Sequence, residues 1–175
     1  MIVDFSRARR QYPEATIVGI DLTPEMMRRA REKSTIIAGK PPVFLGGDAL
    51  SLPFPDDRFD AVISGFLMRN VADVTRVLAE QRRVVRPGGR VVCLEIIRLQ
   101  AGLVRWLFWL YFHGLAPLLG GLFSGQLTAY MYLPRSVDRF LTADELRTAM
   151  EAVGLRQVSY HLLMLGIVAV HVGVK

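Results

Sequence analysis

The sequence holds a single cysteine, Cys93, among 175 residues. An internal disulfide is therefore excluded, and no partner stands near it at metal-ligand spacing. Its place in the apolar run Arg90 to Glu95 reads as a buried structural thiol. Acidic residues are in deficit, 16 against 22 lysines and arginines, which gives a formal charge of +6. That excess is scattered in short groups, Arg7-Ala-Arg9-Arg10, Arg28-Arg29-Ala-Arg31 and Arg82-Arg83, on predicted helices, where it reads as solvated surface. No basic stripe interleaved with aromatics is present, so nucleic acid is not expected as a partner. The first residues carry Asp4 and lack the apolar core of a signal peptide, so cytoplasmic residence is the expectation.

A clean membrane span is also lacking. Residues 101–123 form the most apolar stretch and approach bilayer-spanning length. Arg105, His113, Pro117 and Gly120-Gly121 interrupt it, and a charge at a span's centre costs about 2.5 to 3.5 kcal/mol. Two shorter helices, covering an apolar pocket or lying at a membrane surface, fit better.

What is present suits one domain covering residues 1–175, since 51% of the chain is hydrophobic, enough for one substantial core. Thr16 to Asp21 is a β-branched run ending in an acid, and Thr23-Pro24-Glu25 then opens a helix. Val43 to Ala49 reads as a second strand that closes on Asp48, followed by the proline-rich loop 52–57. Phe59 to Ser64 makes a third strand. Apolar residues recur at helical spacing from Asp73 to Val85, and Pro87-Gly88-Gly89 is expected to stop that helix before a strand over Arg90 to Glu95. Thr142-Ala-Asp-Glu145 is a capping box opening a helix through Ala152. Leu155 to His161 and Ile167 to Val174 read as two antiparallel strands. An apolar helical insertion occupies about 101–140. Alternating strands and helices argue for an α/β fold with a mostly parallel sheet and an antiparallel C-terminal hairpin.

In such a sheet, ligands bind beyond the carboxyl ends of the strands, which here carry Asp21, Asp48-Ala49 and the segment Ser64 to Asn70. An acid at a strand end accepts hydrogen bonds from both hydroxyls of a ribose. A helix-capping aspartate after a strand is an equally ordinary reading of Asp21 alone.

The combination is more specific. Gly-Ile-Asp-Leu-Thr-Pro-Glu-Met-Met (19–27), Gly-Asp-Ala-Leu-Ser-Leu-Pro-Phe-Pro-Asp-Asp-Arg-Phe-Asp (47–60), Arg69-Asn-Val-Ala-Asp73 and Arg86-Pro-Gly-Gly-Arg90 resemble, in order and spacing, the class I methyltransferases. Arg69-Asn70-Val71, Ala129 to Pro134 with Ser136 and Phe140, and Gly166 to His171 resemble the UbiE/MenG family, which methylates ring carbons of ubiquinone and menaquinone precursors. The resemblance covers essentially the whole chain.

It implies a Rossmann-like sheet and S-adenosyl-L-methionine as cofactor. Asp21 with Leu22 would hold its ribose, Asp48 with Ala49 its adenine, and Ser64 and Gly65 would line the pocket. Gly65 stands where the family often has serine, so a side-chain hydrogen bond is lost there. Arg69 and Asn70 would face the reacting quinol, Arg69 favouring the phenolate that raises electron density at carbon, and Tyr130, Tyr132 and His171 would shape the substrate side. A tyrosine pair or a terminal-strand histidine is, on its own, more often packing. The implied substrate is lipidic, so 101–123, with Trp106, Phe108, Trp109, Tyr111 and Phe112, would dock peripherally at the inner face of the membrane or pack into the core. A homo-oligomer is left open.

The family's first strand and its glycine-rich turn would precede a helix over about Ile2 to Gln11, and this sequence begins after that point. In class I order the missing strand lies between those ending at Asp21 and Ser64, leaving two unpaired inner edges. The sheet closing over the gap, a strand from another chain, or a start further upstream would each answer this. Beside the enzyme, on a quinone-type or another small acceptor, stands a second reading, an impaired homologue that binds a lipid or partner through its apolar segment, and a third, a membrane-anchored protein that uses 101–123 as a span.

Overall fold

The computed structural model describes residues 11–34, 41–99, 102–111 and 136–175. Tyr130, Tyr132, most of the predicted helix over Ile2 to Gln11 and most of 101–123 lie outside the described residues.

The chain runs β1 (Val18–Asp21), α1 (Pro24–Ser34), β2 (Val43–Gly46), β3 (Phe59–Gly65), a 3-10 turn (Met68–Asn70), α2 (Val74–Val84), β4 (Val85–Ile96), α3 (Leu103–Trp109), α4 (Ala143–Ala152), β5 (Arg156–Leu163) and β6 (Val168–Val174). Strand and helix alternate as the hydrophobic periods require. Pro24 opens α1 because a first-turn residue needs no amide partner. Asp73 caps α2 by accepting from the Arg76 amide at 2.9 Å. The expected capping box opens α4, with Thr142 and Glu145 bonding reciprocally, which satisfies amides that the first helical turn leaves over.

β1 and β2 pair in parallel, Val18 opposite Val43 and Asp21 opposite Gly46. The second sheet has the order β3-β4-β6-β5. There β3 is parallel to β4, whereas β6 runs antiparallel to both β4 and β5. The expected C-terminal hairpin is thus present, and its second strand is the one inserted beside β4. Among the described residues no ladder joins the two sheets, so β1 and β3 each have one open edge. Ile63 on β3 is 59% exposed beside this break.

One boundary departs from expectation. Pro87-Gly88-Gly89 does not separate α2 from the next strand; the helix stops at Val84 and β4 begins at once with Val85. Proline and glycine act here inside the strand. Pairing with β3 is irregular between Phe59 and Ala61. Gly88 takes a φ of +77°, open to glycine without the penalty a side chain brings. A Cβ on Gly89 would come 2.7 Å from the Asp60 carbonyl. The distant C-terminus then fastens this bulge, Gly88 donating to the Lys175 carbonyl at 3.0 Å and Lys175 to that of Gly89 at 3.1 Å.

The core lies between the four-stranded sheet and one face of α2 and α4, built from Val77, Leu78, Val91, Cys93, Leu146, Met150 and Leu155. Cys93 is fully buried as expected, and burial pushes its thiol up to about 12, so it stays protonated.

Candidate active site

Two groups of predicted site residues gather at the carboxyl ends of the parallel strands. The first lies on β1 and β2. Asp21 ends β1, and its Oδ1 accepts from the Thr23 amide at 2.8 Å. Asp48 follows β2 by two residues, and its Oδ1 accepts from the Leu50 amide at 2.9 Å. The Gly47 amide bonds the Asp21 carbonyl at 3.3 Å, which ties the two strand ends together. Each carboxylate is thus oriented by its own turn, as short acidic side chains do after a strand. Leu22 beside Asp21 is 68% exposed.

The loop beyond Asp48 is fixed from below by α2. Arg76 donates to the Leu50 carbonyl at 2.9 Å, and the Leu52 amide donates to Glu80 at 2.8 Å. Arg83 reaches the carbonyls of Leu52 and Phe54 and the carboxylate of Asp56. Ala49 and Leu50 pack against the core. A polar loop therefore becomes a firm shelf, because one guanidinium fork satisfies several acceptors at once.

The second group follows β3. Ser64 is buried and turns its hydroxyl toward β4, 3.5 Å from both the Val92 carbonyl and the Cys93 sulfur. Gly65 is buried next to it. Phe66 then takes a left-handed φ of +51°, which swings the chain out of the strand into the turn of Met68–Asn70. Arg69 leaves this turn with its side chain 12% exposed, and its Nη1 meets Glu95 Oε2 at 3.1 Å. Its guanidinium carbon stands 5.3 Å from the centre of the Phe66 ring, a cation-π distance. Its Nε is buried, with no hydrogen-bond partner among the described residues.

Glu95, absent from the sequence-based set, is 1% exposed. Its Oε1 accepts from the Met68 amide at 2.6 Å. Desolvation pushes this carboxyl up to about 7, against the opposing pull of the Met68 amide and Arg69.

Arg69 also borders an open groove of about 430 Å³. Met68, Val71, Val74, Phe140 and Leu141 form its apolar walls, and Arg69, Ser136 and Arg139 its polar points. Arg139 belongs to none of the sequence motifs, whereas Ser136 and Phe140 belong to the motif that begins at Ala129. Asn70 is exposed, does not line the groove, and donates from Nδ2 to the Phe66 carbonyl at 2.9 Å. His171 lies apart as well, fully buried on β6 with Nε2 2.8 Å from the Ala143 carbonyl and its ring 5.0 Å from that of Tyr160. Burial lowers its proton affinity, so it serves as a neutral donor to the first turn of α4. Among the described residues no cluster of metal-ligating side chains exists.

Parallel strands that lead into acids, with an antiparallel C-terminal pair set beside β4, fit the class I methyltransferase fold. A methyltransferase of Thermotoga maritima described as a possible histamine N-methyltransferase superposes with a TM-score of 0.63 at 18% identity, over 91% of this chain and 72% of that one. A Pyrococcus horikoshii protein gives 0.64 at 17% identity, over 98% and 77%. The profile of the ubiE/COQ5 methyltransferase family matches residues 2–175, and the chain belongs to that family. The demethylmenaquinone methyltransferase of Roseiflexus castenholzii is 43% identical over 163 residues, 93% of this chain and 67% of that protein. The Thermus thermophilus enzyme of the same name is 44% identical over 165 residues, 94% and 74%.

Proposed function

We propose that the protein transfers a methyl group from S-adenosyl-L-methionine to a ring carbon of a lipidic quinol of the demethylmenaquinol type. The observation that carries this reading is the Arg69 guanidinium, held at the wall of an apolar groove by the buried Glu95 carboxylate. A planar ring with an oxygen substituent fits such a groove, and its oxygen can accept from the guanidinium donors that Glu95 leaves over.

The residues on β1 and β2 suit the nucleoside of the methyl donor. Two carboxylates, each turned by a backbone amide, stand on adjacent strand ends and accept hydrogen bonds from hydroxyl or amino groups. Asp21 and Leu22 take the ribose side and Asp48 and Ala49 the adenine side. Ser64 and Gly65 contribute backbone, because the serine hydroxyl is engaged with β4. When bound, the donor supplies an electrophilic methyl on a cationic sulfur.

The chain's own part is positioning and charge. Arg69 holds the ring oxygen and favours its ionised form, because a nearby positive charge lowers the pKa of a phenol. That leaves the adjacent ring carbon electron-rich; methyl transfer there would break the methyl–sulfur bond, and the ring carbon would then lose its hydrogen as a proton to water. Apolar walls exclude water from the reacting face. Arg139 places a second positive charge on the groove. Asn70 stabilises the turn that presents Arg69, through its bond to Phe66. Tyr130 and Tyr132 remain assigned to the substrate side, and His171 acts from beneath by holding α4.

The tail of such a substrate lies in a membrane, and the described part of α3 suits its surface. Trp106, Leu107, Leu110 and Tyr111 are all about half exposed there, an apolar face of the kind that rests in a lipid interface. Among the described residues no helix is long and apolar enough to cross a membrane. The exposed apolar side chains of this segment support peripheral contact as the mode proposed.

Reduced and oxidised naphthoquinones test the reading, since only the quinol has a nucleophilic ring carbon. S-adenosylhomocysteine should form with the demethylated quinol and not with the quinone. Absence of product from both, in protein that binds lipid vesicles, would point instead to the impaired, lipid-binding homologue.

A further inference from the structure

We propose that Glu95 is a positioning residue for methyl transfer: its buried carboxylate fixes the Arg69 guanidinium at the groove and must be ionised to do so. The inference rests on the quinol reading above, and it assigns a role to the one fully buried carboxylate among the described residues. Glu95 sits at the end of β4 and splits its two oxygens between two tasks. Oε1 takes the Met68 amide at 2.6 Å and so anchors the turn; Oε2 takes Arg69 Nη1 at 3.1 Å and so aims the side chain. Phe66 covers the guanidinium from another direction. Between them these contacts leave the remaining donors of Arg69 to the groove.

Such a buried pair is poor evidence for stability, because desolvating both charges offsets their attraction. Its place beside a groove points to function. Among the described residues the groups facing Glu95 are Arg69 from the turn, the protonated Cys93 thiol on the same strand and, across on β6, uncharged Ala169 with the neutral His171 two residues on. Arg69 is thus the one cation among them. Protonation of Glu95 turns one acceptor oxygen into a hydroxyl donor and loosens its hold on Arg69, so turnover should fall as pH drops through about 7.

Glu95→Gln tests this, since its amide oxygen still accepts from Met68 while its NH₂ opposes the Arg69 donors. Expected are a fall in kcat of about 10- to 100-fold, typical of a misplaced catalytic contact, an unchanged KM for the methyl donor, and loss of the acidic limb near neutrality. Glu95→Asp keeps the charge and should recover part of kcat together with the limb, which keeps the test decisive if the glutamine variant folds poorly. A readout independent of turnover is the ionisation of bound 1-naphthol, followed by absorbance. Wild type should lower its pKa relative to solution, and Glu95→Gln should abolish that shift. Wild-type kcat and pH profile in Glu95→Gln, or a larger naphthol shift, would overturn the role of Glu95 while leaving the quinol reading intact. A wild-type protein that neither binds naphthol nor methylates the quinol would sink both.

Discussion

Replacing Arg69 with methionine should lower kcat by about 10²- to 10³-fold, the loss seen when a preorganised donor to a developing oxyanion is removed. The side chain is 12% exposed and engaged by Glu95 and Phe66, so it presents its charge with little freedom to lose. Methionine keeps most of the volume and the apolar contact, leaving the charge as the main difference. The KM for the methyl donor should change little, because Asp21 and Asp48 lie on other strands. Arg69→Lys should recover only part of the rate: a single ammonium cannot hold Glu95 and serve the groove with a planar fork. Steady-state kinetics with the demethylated quinol measure all three proteins, and a rate for Arg69→Met within threefold of wild type would remove Arg69 from the reaction.

Asp21→Ala should weaken S-adenosylhomocysteine binding on the order of 10- to 100-fold, since hydrogen bonds to a charged acceptor contribute about 1.5 to 3 kcal/mol. The carboxylate is set by the Thr23 amide at 2.8 Å, so little ordering remains to be done on binding. Asp21→Asn keeps one acceptor oxygen and should fall between. Asp48 is exposed beyond β2, so Asp48→Asn should show a smaller loss. Calorimetric titration of the four proteins gives the order, and equal affinity in wild type and Asp21→Ala would displace the nucleoside from β1.

Local signals in the sequence reached most of the scaffold. The capping box of Thr142 and Glu145, the strand ending on Asp21 and the C-terminal pair of strands are each set by neighbours in the chain, so short-range rules suffice. Pro87-Gly88-Gly89 escaped those rules. A proline and two glycines after a helix normally end structure, but here Lys175, close in space and distant in sequence, turns them into a bulge within β4.

The site divides in the same way. The placing of Asp21 and Asp48 at strand ends and of Arg69 just after β3 was legible, because strand patterns and motif spacing mark those positions. Glu95 was not, because a glutamate closing an apolar strand shows nothing of the turn that folds over it from β3. Arg139 joins the groove through a segment after the apolar stretch, and no periodicity links it to Arg69. His171 shows the reverse case: resemblance placed it toward the substrate, whereas the structure sets it under α4 against the Ala143 carbonyl. A terminal-strand histidine gives no local sign of which face it takes.

The account depends most on Arg69 occupying the ring oxygen so that carbon, not oxygen, receives the methyl group. The direct measurement is the position of an isotopically labelled methyl in the product, read by NMR after reaction with the demethylated quinol. Label on the ring carbon adjacent to the oxygen, formed far more slowly by Arg69→Met, is the predicted result. Label on oxygen, or carbon labelling at an equal rate without the guanidinium, would contradict it.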